Sequence, residues 1–123
     1  MAEKNGKILI LEDEKPLARA LELKLNHEGF EVISLPNGEG LEALLGKEKI
    51  ALIVCDLVMP KVDGFQVLQI LNDSKIKIPV IVLTNLSQAE DEKRVRELGA
   101  SDFLIKSNTP ISIVVENIKK RIT

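Results

Sequence analysis

Apolar and polar positions along this chain fall into recurring blocks. Runs rich in Ile, Leu and Val lie at Lys7 to Leu11, Glu31 to Leu35, Ile50 to Cys55, Pro79 to Leu83 and Asp102 to Ile105, and each reads as a strand. The runs beginning at Ile8, Ile50 and Val80 are unbroken rather than alternating, as expected for parallel strands covered by helices on both faces. Each gap between runs is long enough for one helix, the spacing of a repeated βα unit. The pattern predicts five strands and five helices in one α/β domain.

Within the gaps, apolar residues take up helical spacing. Leu17, Leu21 and Leu25 mark a first helix that begins after Asp13 and stops near His27, with Gly29 as its terminator. A turn at Pro36-Asn37-Gly38 precedes a short helix through Leu41, Leu44 and Leu45. Asp63-Gly64 then opens a third helix that turns Val67, Leu68 and Leu71 inward. The fourth segment, Gln88 to Leu98, offers only Ala89, Val95 and Leu98 to a core, so it should pack least deeply. The last carries Ile111, Val114, Val115, Ile118 and Ile122 as its inner stripe. Asn108 or Thr109 is its expected cap, Pro110 suits its first turn, and Lys119, Lys120 and Arg121 favour its C-terminal end.

Composition narrows the chemistry. At 123 residues, there is room for one core and not two, so residues 1–123 are expected to form a single domain with no output domain attached. Three Phe and no Trp or Tyr make that core aliphatic and argue against a ligand held by aromatic stacking. A net charge of -2, from 17 basic and 19 acidic residues, argues against direct nucleic-acid or anionic-membrane binding. One cysteine excludes an internal disulfide and a multi-thiolate metal site, which fits the cytoplasm. The N-terminal stretch Met1 to Lys7 is polar, and no apolar stretch approaches the roughly 20 residues of a membrane span.

Four of the apolar runs end in a chemically useful residue: Leu11 in Glu12-Asp13, Cys55 in Asp56, Leu83 in Thr84 and Ile105 in Lys106. Open parallel sheets bind ligands along the C-terminal strand edge, where strand order reverses. In a sheet of order 2-1-3-4-5, Asp13 and Asp56 are side by side, with Thr84 and Lys106 on the next two strands. Each residue also has an ordinary reading. Glu12 and Asp13 suit a helix start, Thr84 a turn and Lys106 an exposed edge. Asp56 is harder to dismiss, because an acid at the end of a buried strand needs a charge partner or a metal. Clustered carboxylates call for a cation, and oxygen-only donors suit Mg²⁺. A phosphoryl group could then sit between metal, hydroxyl and ammonium, with one carboxylate as nucleophile.

Glu12-Asp13, Asp56 followed by Met59-Pro60 and Asp63-Gly64, then Thr84, and finally Phe103 with Lys106 resemble, in order and spacing, the receiver domain of two-component response regulators. The resemblance covers essentially the whole chain. It implies a flavodoxin-like, doubly wound sheet in which Asp56 accepts a phosphoryl group from a sensor histidine kinase, a phosphotransfer protein or a small phosphodonor. Mg²⁺ or Mn²⁺ would be held by Asp13, Asp56 and the backbone carbonyl of Val58, with Glu12 acting through water. Lys106 and Thr84 would bind phosphoryl oxygens. Thr84 and Phe103 would form the switch that reshapes the fourth helix, fifth strand and fifth helix for a downstream target or output domain. The domain would be a monomer or a phosphorylation-dependent dimer. Phosphotransfer and dephosphorylation would be self-catalysed by a signalling domain rather than performed by a dedicated enzyme.

Two positions depart from the family pattern. Ser107 stands where most members carry Pro after the lysine, and a cis bond before Ser is far costlier than before Pro, so a trans or reshaped loop is expected. Phe103 stands where many carry Tyr, which removes a phenolic hydrogen bond but keeps a ring to rotate. A receiver-like interaction module that works without phosphorylation is the alternative, although it would have no need of all five site residues. An aspartyl phosphohydrolase would want an acid two residues past Asp56, where Val58 stands. A flavodoxin-like electron carrier would want a hydroxyl-rich loop after the first strand. Cys55 faces away from Asp56 and reads as packing.

Overall fold

The β-branched runs and the helical stripes between them assemble as expected in a computed structural model that describes residues 6–122. Met1 to Asn5, part of the polar N-terminal stretch, and Thr123 lie outside the described residues. The elements are β1 (Lys7–Leu11), α1 (Lys15–His27), β2 (Val32–Leu35), α2 (Leu41–Lys47) and β3 (Ile50–Cys55), then α3 (Gly64–Asp73), β4 (Val80–Thr84), α4 (Ala89–Glu97), β5 (Asp102–Ile105) and α5 (Ile111–Ile122). A short 3-10 turn, Lys106–Asn108, joins β5 to α5. The sheet order is β2-β1-β3-β4-β5 with every pair parallel, the flavodoxin-like topology. Among the described residues, no helix is long and apolar enough to cross a membrane.

Strand alternation divides the core in two. Leu9, Leu11, Ile53, Cys55, Val80 and Val82 face α2, α3 and α4. Ile8, Ile10, Leu52, Val54, Ile81 and Leu83 face α1 and α5. Leu21, Leu25 and Ile118 are fully buried on the second face, the inner stripes read from their spacing. Val95 is the one buried residue of α4, matching the shallow packing expected of that segment.

Element ends shift slightly from the sequence pattern. β2 starts at Val32 rather than Glu31, and β4 spans Val80–Thr84 rather than Pro79 to Leu83. Pro79 has no N–H for a ladder, though its carbonyl still accepts from the Ile53 N–H at 3.0 Å. Pro110 lies just outside α5 rather than in its first turn, and its carbonyl accepts from the N–H groups of Ile113 and Val114. At the end of α1, Gly29 takes φ 96, which lets the N–H of Phe30 return to the Leu25 carbonyl and stops the helix where the Gly predicts.

Candidate functional site

The ladder carries the acids past the strand ends. The Glu12 N–H donates to the Leu35 carbonyl, and the Asp56 N–H donates to the Leu11 carbonyl, both at 3.0 Å. These bonds hold Glu12 and Asp56 at the C-terminal edge, on adjacent strands. One oxygen each from Glu12, Asp13 and Asp56 lies within 4.8 Å of the others. Glu12 and Asp56 are buried, whereas Asp13 is exposed. A cleft of about 380 Å³ opens against Glu12 and Asp13. A larger one, about 700 Å³, lies toward the opposite edge between Leu71, Ile78 and Leu98, and none of the predicted site residues lines it.

Asp56 is held from two sides. Its Oδ1 accepts from the Leu57 N–H at 2.7 Å and the Val58 N–H at 3.4 Å. Its Oδ2 meets Lys106 Nζ at 2.6 Å. Behind it, α3 packs directly on the loop that follows β3. Asp63 caps α3 by accepting from the Gln66 N–H at 2.9 Å, with the Gln66 side chain returning to the Asp63 N–H. The Gly64 N–H reaches the Leu57 carbonyl at 3.1 Å. A Cβ at Gly64 would strike the Asp56 carbonyl oxygen and come within 2.8 Å of Leu57 Cα, so only glycine permits this approach.

Lys106 is not the exposed edge charge of its ordinary reading. Its side chain is 8% exposed, and it reaches Glu12 at 2.9 Å, Glu14 at 3.0 Å and Asp56 at 2.6 Å. Burial alone would lower its pKa, but hydrogen bonds to Asp56, Glu12 and Glu14 outweigh burial and raise it above the usual lysine range. Burial pushes the Glu12 carboxyl up, against the opposing pull of the Glu14 N–H and Lys106. Ser107 does not impair the reach of the lysine. Among the described residues every peptide bond is trans, and the 3-10 turn is pinned by the Ser107 N–H donating to Asn85 Oδ1 at 3.2 Å.

Glu12 also serves the helix-start role, since its Oε2 accepts from the Glu14 N–H at 3.0 Å. Thr84 is fully buried, and its Oγ1 accepts from the Leu86 N–H at 3.3 Å, a turn contact rather than a contact with the acids. Phe103 pairs across from Val82 and packs half-buried on the α3/α4 side, the face that alternation also assigns to Thr84. Val58 is 60% exposed, two residues past Asp56. Cys55 is fully buried on the opposite side of β3 from the acid cluster's lysine, with burial first among the causes that push its thiol pKa far up. Glu14 was not among the residues singled out from sequence, although its place directly after Glu12-Asp13 in an acidic run was a usable signal.

The carboxylates of Glu12, Asp13 and Asp56 converge with one directly bonded ammonium, Lys106, while Lys15 and Arg19 line the outer cleft. Hard oxygen donors at this spacing fit a small divalent cation. The doubly wound sheet carries this pocket at its switch point, and the chain belongs to the response regulator receiver domain family, whose profile matches residues 8–117. It is 40% identical over 85% of its length to the probable transcriptional regulator ycf27 of Porphyridium aerugineum, covering 43% of that protein. It is 35% identical over 86% of its length to the alkaline phosphatase synthesis transcriptional regulatory protein PhoP of Bacillus subtilis (strain 168), covering 44% of it. The chain thus spans under half the length of these two relatives. A solved receiver domain, that of the Francisella response regulator 1452, superposes with a TM-score of 0.87 at 26% identity, covering 95% of this chain and 96% of that one.

Proposed function

We propose that this receiver is a phosphorylation switch with Asp56 as the acceptor. One Asp56 carboxylate oxygen attacks the phosphorus of a phosphohistidine on a sensor kinase or phosphotransfer protein. An O–P bond forms, the P–N bond breaks, and the imidazole leaves with the electron pair. A small phosphodonor reacts in the same way with its own leaving group. The observation that carries this reading is the buried 2.6 Å pairing of Lys106 with Asp56 beside the Glu12 and Asp13 carboxylates. Lys106 supplies a donor to the incoming phosphoryl oxygens, and the N–H groups of Leu57 and Val58 orient the acceptor.

Asp13, Asp56 and the Val58 carbonyl are the proposed holders of Mg²⁺ or Mn²⁺, with Glu12 acting through water. When bound, such a cation would offset the charge that accumulates between Asp56 and the phosphoryl group. Thr84 would give up its turn contact with Leu86 to reach a phosphoryl oxygen, and Phe103, behind it on the same face, would turn inward. The surface of α4, β5 and α5 then changes for a downstream target or output domain, as a monomer or as a phosphorylation-dependent dimer. The relatives named transcriptional regulators support a transcriptional output, and the single cysteine suits a cytoplasmic setting.

Intact-mass spectrometry after incubation with Mg²⁺ and acetyl phosphate tests the reading. One phosphoryl adduct is expected on the wild type, none on Asp56→Asn, and little after chelation. A well-folded wild type that gains no adduct from acetyl phosphate or candidate kinases would leave the phosphorylation-independent module as the better reading.

A further inference from the structure

Lys106 has three N–H donors and three carboxylate partners, so its hydrogen-bonding capacity is filled before any phosphoryl group arrives. The partners differ in kind. The side chains of Asp56 and Glu12 are 5% and 3% exposed, and both belong to the trio of acids close enough to share a cation. Glu14 is 58% exposed and stands outside that trio. Its carboxylate is held to the site through the lysine, and a cation among the other three acids would leave its charge unmatched except by Lys106. Any phosphoryl oxygen that recruits this ammonium must displace one of its three partners, and Glu14 is the one outside the acid trio.

Building on the phosphoacceptor reading, we infer that Glu14 is a positioning residue for Lys106: it ties the ammonium down and acts as a brake on phosphoryl uptake. Two effects share one direction. The carboxylate occupies a donor that the phosphoryl group needs, and its charge, two hydrogen bonds from Asp56 Oδ2, repels an anionic phosphodonor. At this range and near the surface, the repulsion corresponds to roughly three- to tenfold in rate, diminishing with salt.

Glu14→Gln keeps the size and an acceptor oxygen while removing the charge, and Glu14→Ala removes both. The first measurement is the Lys106 ¹⁵Nζ ammonium resonance in the metal-free protein, assigned with Lys106→Arg, because slow proton exchange marks an ammonium held by fixed acceptors. The second is the initial rate of adduct formation with acetyl phosphate and Mg²⁺ at low and high salt. The inference expects faster ammonium exchange in both variants, and uptake about three- to tenfold faster than wild type at low salt with the gap closing at high salt. Unchanged ammonium exchange, or adduct formation at wild-type rate, would overturn the brake while leaving the acceptor intact. Absence of an adduct on wild type and variants alike would remove the phosphoacceptor reading and the brake with it.

Discussion

β3 buries five of its six residues and ends in an acid clamped by backbone N–H groups and a lysine, whereas all four residues of β5 are only half-buried. The flanking helices follow the same division. α3 buries Gly64, Val67, Leu68 and Leu71 and rests on the backbone of Asp56 and Leu57, while α4 buries Val95 alone. Chemistry on an acceptor requires fixed geometry, and dense packing supplies it. A surface that reports a modification must rearrange at low cost, which sparse apolar contact allows. In this domain the densely and the sparsely packed elements lie about two strands apart in one sheet, which suits the proposed division between acceptor and reporting surface.

The largest test of that contrast is Gly64→Ala. The new methyl group meets backbone atoms of Asp56 and Leu57, which cannot swing away like a side-chain end. A loss of about 3 kcal/mol in urea unfolding is expected, together with slower uptake of phosphoryl groups. A loss below about 1 kcal/mol would mean that the acceptor loop is as yielding as the α4 side.

A matched truncation sharpens the comparison. Val54→Ala on β3 and Val95→Ala on α4 delete the same atoms from sites that are 2% and 0% exposed. The first should cost about 2–3 kcal/mol and quicken amide exchange across the sheet. The second should cost about 1–2 kcal/mol, with exchange rising chiefly in α4. Equal costs with global exchange in both variants would remove the distinction between the two halves.

The smallest expected effect lies where α1 meets α5, away from both halves of the site. Lys119 pairs there with Glu28 at 3.0 Å, and the hydrogen bond followed by charge attraction lowers the Glu28 carboxyl and raises the Lys119 ammonium. Glu28 therefore stabilises the fold above its unfolded value, about 4.3, and this contribution fades as pH falls through the lowered folded value. On the alkaline side, the Lys119 contribution is present below its unfolded value and fades as pH rises through its raised folded value. The stability difference between wild type and Glu28→Gln should be small at pH 7 and vanish in acid. A difference that persists at pH 2 would show that the side chain acts through packing instead.

The five-strand, five-helix alternation was legible because buried parallel strands need continuous apolar runs and their covering helices need one apolar stripe. The shallow packing of α4 was legible for the same reason, since a segment with three apolar residues has little to bury. Asp56 and Lys106 were legible as polar ends of apolar runs, although they are 50 positions apart in the chain. One-residue shifts at Pro79 and Pro110 were not, because ladder and helix ends depend on which N–H groups find carbonyls in the folded chain.

Sequence alone determined the alternation of strands and helices, the acids at the ends of the first and third runs and the absence of an acid at Val58, because each follows from periodicity and residue type; the strand order expected came with the family resemblance, and folding set it. Tertiary structure decided which of those groups touch. Lys106 could have pointed to solvent, but folding buries it against Glu12 and Asp56 and extends its third bond to Glu14. Gly64 could have been a helix start like any other, but folding sets it against the backbone of Asp56 and Leu57. Contacts across 50 or more residues depend on how strands and loops pack in three dimensions, and no local pattern encodes that distance.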